Sequence, residues 1–210
     1  MQARRIRLLN TTPAAAAAGR WLAGQLDLGA AHEKTLRFGF DIVFSWLTGM
    51  GLVAAVSFLL GSFAQGLTAA AAAFILRVFS AGAHCSTSGR CALVTVVVYS
   101  TIGKAAAVHG LATSPIFVAA TYTVSAACLF ARTAPRDSRD LRNLRFRPVA
   151  VFVLLTYLLL SLQYLGHSSF ASSIAGAVAA GCLWQSCSVT EPGARLIMGV
   201  DSLLDAVGVD

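Results

Sequence analysis

Charge is scarce in this sequence. Only 12% of its 210 residues are Asp, Glu, Lys or Arg, and nine of those are acidic. A water-soluble globule carries about 25% charged residues, so water is not the solvent this chain is built for. Hydrophobic residues make up 57%. Uncharged runs extend from Ile42 to Leu76, from Ala105 to Ala131 and from Pro148 to Thr190. Each is long enough for one or two membrane helices of ~20 residues. No aromatic-interleaved basic domain accompanies the net charge of +7, which sets nucleic acid aside and leaves anionic lipid and topology to explain the excess. Nor is there an unbroken apolar leader: Gly19 and Arg20 interrupt the Ala-rich run after Pro13, so a cleaved signal peptide fits poorly. The five cysteines are an odd number. Cys85 and Cys91 are expected to be reduced if they face the cytoplasm, and Cys128, Cys182 and Cys187 read as small apolar helix residues.

What charge there is reports orientation. One basic cluster holds Arg4, Arg5, Arg7, Arg20, Lys34 and Arg37, and a second holds Arg132, Arg136, Arg139, Arg142, Arg145 and Arg147. By the positive-inside rule both are cytoplasmic, so an even number of spans separates them. The expected spans are 39–60, 66–80, 92–109 and 112–131, followed by 148–165 and 169–188. The 66–80 segment is short and Ala-rich, and a re-entrant helix is its alternative. Lys104 is expected to snorkel outward. The fold class is therefore all-α: a polytopic membrane helix bundle of about six transmembrane or re-entrant helices, forming one integral membrane domain over 1–210. Residues 1–37 form its surface segment, with an amphipathic surface helix over 14–36, and 38–190 form the bundle. Residues 191–210 form a tail, cytoplasmic like the N-terminus.

Between the second and third spans lies a polar island, Arg77 to Cys91, on the cytoplasmic side. It supplies a thiol at Cys91 and an imidazole at His84, the first needs of a cysteine nucleophile. On one continuous helix two residues seven apart lie about 10 Å apart along the axis, too far for proton transfer. The pair therefore needs a chain reversal, and Gly82 with Ser86, Thr87, Ser88 and Gly89 supplies the breakers. With Ser88 as N-cap, Cys91 takes the third helical position, where free N–H groups favour a thiolate and serve an oxyanion. Two blander readings stand beside this one. The residues simply pack or face water, or His84, Cys85 and Cys91 hold a metal, although a fourth ligand is missing.

Arg77, Gly82-Ala83-His84 and Cys91 together resemble the catalytic region of the accessory gene regulator protein B family, membrane peptidases that process quorum-sensing propeptides. Ala134-Pro135, leading into the basic stretch 132–147, is similar to that family as well. The loop departs from the family pattern in being Arg-rich rather than Lys-rich and in carrying Asp137 and Asp140. The resemblance implies that Cys91 is the nucleophile and His84 its base, with Arg77 and Gly82 in supporting positions. It implies a bacterial cell membrane and a short Cys-containing propeptide as partner, and it calls for no cofactor. A homo-oligomer is compatible with it.

On that resemblance, Cys91 cleaves the propeptide through a thioester and a propeptide thiol closes a thiolactone. Arg136, Arg139, Arg142, Arg145 and Arg147 are candidates for drawing in an acidic substrate segment, and serve equally well as topogenic charges. Asp41 is a weak candidate for orienting His84. Non-enzymatic readings, a small-peptide transporter or a membrane adaptor, leave Cys91 and His84 without a use.

Overall fold

Apolar runs bounded by turn residues become helices because in a bilayer every backbone polar group must be satisfied within its own segment. The computed structural model describes residues 12–109, 114–131, 147–165 and 167–209. Among them are eight helices and no strand: α1 (Thr12–Gln25), α2 (Ala30–Leu59), α3 (Phe63–Ser80), α4 (Ser88–His109), α5 (Pro115–Phe130), α6 (Arg147–Tyr164), α7 (Ser169–Ser188) and α8 (Glu191–Ala206). Four of them, α2, α3, α4 and α7, are long and apolar enough to cross a membrane; α5 and α6 are shorter apolar helices. The chain is a multi-pass helix bundle, as the apolar runs predict.

The centre of the bundle is α3 against α7, flanked by α4, α5 and α6. Small residues let these backbones approach. A Cβ on Gly181 would lie 2.5 Å from the Ala69 carbonyl oxygen, and one on Gly103 would lie 2.5 Å from the Gly66 nitrogen. Ala69, Ala70, Ala72 and Ala73 of α3 are all buried, as are Ala175, Ala177 and Ala179 of α7. Large apolar side chains point the other way: Phe58, Leu59, Ile75, Ile116, Phe152 and Leu159 are exposed. Small inside and large outside is the pattern of helices packed in lipid, where close backbone contact replaces the hydrophobic drive. It also accounts for the Ala-rich second span. Phe63–Ser80 is one continuous helix of 18 residues, about 27 Å at 1.5 Å per residue, and its buried alanines are what let it pack at the centre of the bundle.

Polar groups inside the bundle pair across helices, although among the described residues Trp46 Nε1 and Ser186 Oγ are buried without a hydrogen-bond partner. Gln65 Nε2 donates to Ser173 Oγ at 3.0 Å, and Tyr122 Oη meets Ser161 Oγ at 3.0 Å. Lys104 Nζ reaches the Leu60 carbonyl at 2.9 Å, closing the C-terminal end of α2 as a snorkelling lysine does.

Two expectations change. The surface helix expected over 14–36 is two helices, and its second half belongs to the 30-residue α2. The break has a local cause. Asp27 adopts φ 49°, and the Leu28 N–H returns to the Ala23 carbonyl at 2.9 Å, a helix stop in which Asp replaces the usual glycine. α1 then lies on α2 through Ala15, Ala16, Gly19 and Ala23, leaving Trp21 and Leu26 exposed. The second change is the tail, whose residues 191–206 form α8, packed on α7.

Candidate active site

α3 ends at Ser80 and α4 begins at Ser88, so the expected chain reversal occupies residues 81–87. It is tightly built. Ala81 has φ 58° and ψ −148°, a sparsely populated conformation for a residue with a Cβ. Gly82 follows at φ 146°, where a Cβ would stand 2.9 Å from Ser188 Oγ and 3.1 Å from Gln185 Nε2. Glycine is required there both for its dihedral and for the space. Ala83 then donates its N–H to the Ser188 carbonyl at 3.2 Å. The C-terminal end of α7 thus forms the wall against which the loop is moulded.

Gln185 is the centre of that wall, with no exposed surface. Its Nε2 donates to the Ala81 carbonyl at 2.6 Å and to Ser80 Oγ at 3.2 Å. Its Oε1 accepts from Arg77 Nη1 at 3.3 Å. The other Arg77 nitrogen, Nη2, donates to the Ala83 carbonyl at 2.7 Å and meets His84 Nδ1 at 3.0 Å. Because a guanidinium has no acceptor, Nδ1 must present its lone pair, and the proton of the neutral ring sits on Nε2. A relay therefore runs from Gln185 through Arg77 to His84.

His84 and Cys85 both lie near enough to the Cys91 sulfur to act on it, as does Arg77 through its charge. Cys85 lies in the loop, and its thiol is pushed far above the ordinary cysteine range. The chief cause is its hydrogen bond to Cys91; burial and the negative charges of Cys91 and Asp201 add to it, while Arg77 acts in the opposite sense. Of the adjacent thiols, Cys85 keeps its proton.

The helix cap falls one residue earlier than expected. Thr87 caps α4, its Oγ1 accepting from Arg90 N at 3.3 Å and its carbonyl from Cys91 N at 3.1 Å. Cys91 is accordingly the fourth helical residue and its own N–H is spent within the helix. Among the described residues no group accepts from the N–H of Ser88 or Gly89, and these two remain for an anion at the helix start.

Arg77, Gly82, His84 and Cys91, far apart on a straight helix, are thus gathered at one turn. Arg136, Arg139, Arg142 and Arg145 lie outside the described residues, and Arg147 opens α6. Asp41 is in α2, lining a cleft with Thr12, Lys34 and Arg37, while Arg77 is the residue that meets His84 Nδ1. Among the described residues no three His, Cys, Asp or Glu side chains converge as metal ligands. The sequence reading missed Gln185. Its only signal was an amide in an otherwise small and apolar helix, and nothing local says which way such an amide points.

A family model described as accessory gene regulator B matches residues 18–189. Neither a curated protein nor a solved structure matches the chain.

Proposed function

This chain belongs to the accessory gene regulator B family, which takes part in quorum-sensing peptide processing, and from that premise we propose that it is a membrane-embedded cysteine endopeptidase with Cys91 as nucleophile and His84 as its proton carrier. The observation that carries this reading is the meeting of Arg77, His84, Cys85 and Cys91 at one chain reversal. Hydrogen bonds to the sulfur and a nearby guanidinium are what a thiolate requires. The substrate is a short Cys-containing propeptide presented at the cytoplasmic face of the bacterial cell membrane, where both chain termini also lie.

Cys91, having lost its proton to water, attacks the scissile carbonyl with its sulfur. The negative oxygen that forms is met by the N–H groups of Ser88 and Gly89. In the resting geometry an Arg77 N–H is directed at His84 Nδ1, so that nitrogen presents its lone pair to the guanidinium. An acidic substrate segment is a stronger partner for a guanidinium than an imidazole is, and it takes Nη2 from His84 while Nη1 stays on Gln185, which keeps Arg77 aimed at the site. His84 then takes a proton from water at Nδ1 and gives one to the departing amine as the C–N bond breaks. The acidic C-terminal segment leaves, drawn by the basic stretch that includes Arg136, Arg139, Arg142, Arg145 and Arg147.

The acyl group remains as a thioester on Cys91. Attack by the propeptide's own cysteine thiol exchanges one thioester for another, releases Cys91 and closes a thiolactone without ATP. Water has to be kept from that intermediate, and a site enclosed between helices favours this.

Intact-mass spectrometry of the protein co-expressed with candidate propeptides tests the proposal. An acyl adduct on Cys91 is expected, matched by loss of a C-terminal peptide and absent from Cys91→Ala. Propeptide that binds yet is never cleaved, with Cys91→Ala and His84→Ala indistinguishable from wild type, would leave a carrier or adaptor as the better reading.

A further inference from the structure

The C-terminal helix is tied to the later half of the reversal, as Gln185 is to the earlier half. α8 starts almost immediately after α7, with Thr190 as its N-cap accepting from Gly193 N at 3.3 Å. Gly193 sits so close to the Cys187 carbonyl that no side chain fits there, and α8 packs back onto α7 from that point. Asp201 and Asp205, one turn apart, share a face of α8. Asp201 Oδ1 accepts from Ser86 N at 3.2 Å and from Ser86 Oγ at 3.1 Å, and lies 3.6 Å from Arg90 Nη1. Asp205 Oδ1 accepts from Arg90 Nη2 at 2.5 Å, and the Val209 carbonyl accepts from Arg90 Nε at 2.6 Å. Arg90 Nη1 also donates to Ser86 Oγ at 2.9 Å, closing the network on itself.

The two residues held are the immediate neighbours of the two thiols. Ser86 follows Cys85, and Arg90 precedes Cys91. Arg90 is only 4% exposed, and a guanidinium so buried needs its partners. α8 lies beyond the residues matched by the family model, which end at 189.

We propose that α8 is a positioning clamp: through Asp201 and Asp205 it holds Ser86 and Arg90, and so sets the placement of the His84–Cys85 segment against Cys91. The clamp rests on the reading of Cys91 as nucleophile. Asp201 and Asp205 are positioning residues that act through Ser86 and Arg90 and touch no substrate.

The test uses the full chain in lipid nanodiscs, with a propeptide that the wild type cleaves. Three variants are compared: Asp201→Asn with Asp205→Asn, the conservative pair Asp201→Glu with Asp205→Glu, which keeps both carboxylates, and Ser86→Ala, which cuts a single arm. For each, the pH profile of iodoacetamide labelling at Cys91 is read by peptide mapping, together with kcat, KM and the melting temperature. In the double Asn variant the labelling midpoint is expected to rise and kcat to fall about tenfold at unchanged KM, since small misplacements of reacting groups cost rate steeply. Ser86→Ala is expected to do the same to a smaller degree, and the double Glu variant to stay nearer wild type than the double Asn variant. An unmoved labelling profile with wild-type kcat in the double Asn and Ser86→Ala variants overturns the clamp and leaves Cys91 in place. So does a fall in kcat that only tracks loss of folded protein, Ser86→Ala included. Full cleavage by Cys91→Ala overturns the underlying reading itself.

Discussion

Replacing Gln185 by Leu keeps the volume of a buried residue and removes every polar contact it makes. Two neutral hydrogen bonds go, to the Ala81 carbonyl and to Ser80, along with one from the Arg77 guanidinium. At about 1 kcal/mol for each neutral bond and about 1.5 or more for the charged one, the loss is about 3.5 kcal/mol or more. If that were only a loss of stability, the melting temperature of a chain this size would fall by roughly 7–14 °C and the rate at 25 °C would stay near wild type. The relay from Gln185 through Arg77 to His84 predicts something else. Ala81 loses the donor that holds its strained conformation, and Arg77 loses the acceptor that aims it, so cleavage by folded protein at 25 °C is expected to fall about a hundredfold. Gln185→Glu separates the parts. It retains an acceptor for Arg77 but sets an anion against the Ala81 carbonyl, so its rate is expected between the other two and to recover as pH falls and the carboxyl regains a proton. Propeptide cleavage followed by mass spectrometry, paired with melting in the same detergent, gives both readouts. A Gln185→Leu protein that melts early yet cleaves within twofold of wild type would refute the relay.

Gly82→Ala puts a methyl group 2.9 Å from Ser188 Oγ at φ 146°, a dihedral that alone costs about 1–3 kcal/mol for a residue with a Cβ. Cleavage is expected to fall more than tenfold, and adding Ser188→Gly relieves the contact without the dihedral, so recovery in the same cleavage assay stays partial. The proton on Cys85 makes a prediction with a definite sign. Its thiol is pushed up, so it stays protonated and unreactive between pH 7 and 9, whereas an ordinary thiol of pKa ~8.5 reacts increasingly over that range. Iodoacetamide with peptide mapping is expected to label Cys91 first and Cys85 slowly, and unfolding in guanidinium to bring Cys85 to the ordinary rate. Faster labelling of Cys85 in the folded protein would contradict this assignment of the proton.

The legible parts of this chain are those whose cause is local. Apolar runs ended by charge or by glycine mark helices from composition alone, and the segment expected at 169–188 is the helix Ser169–Ser188. His84 and Cys91 were legible through their chemistry and spacing, and Gly82 through the turn it permits. The end of α1 was not, because Asp27 takes over a stop that normally announces itself as glycine. α8 was not expected either, and it opens on Pro192 and Gly193, residue types that interrupt a helix interior. After the capping Thr190, however, proline in the first turn belongs to a helix start. Gln185, Asp201 and Asp205 were illegible for a different reason. Each acts on a residue about a hundred positions away, and the approach that brings α7 and α8 to residues 77–90 is set by glycines and alanines that carry no directional signal.

That division has a physical consequence for the reversal. Seven residues must turn the chain between two membrane helices, place an imidazole near a thiol, and hold Ala81 in a conformation it would not choose. A loop of that length cannot do so from its own contacts, because strained backbone persists only where the surroundings over-determine it. Here they do so from two sides. α7 fixes the first half through Gln185 and the Ser188 carbonyl. α8 fixes the second half through Asp201 and Asp205. His84 and Cys85 lie between the two sets of restraints, so either set released alone leaves one end of the reversal anchored and the other free to drift from Cys91. Variants at Gln185 and at the α8 carboxylates therefore act on the same sulfur through one shared loop, and because either release already lets it drift, their combined effect on rate is expected to be less than the product of the two.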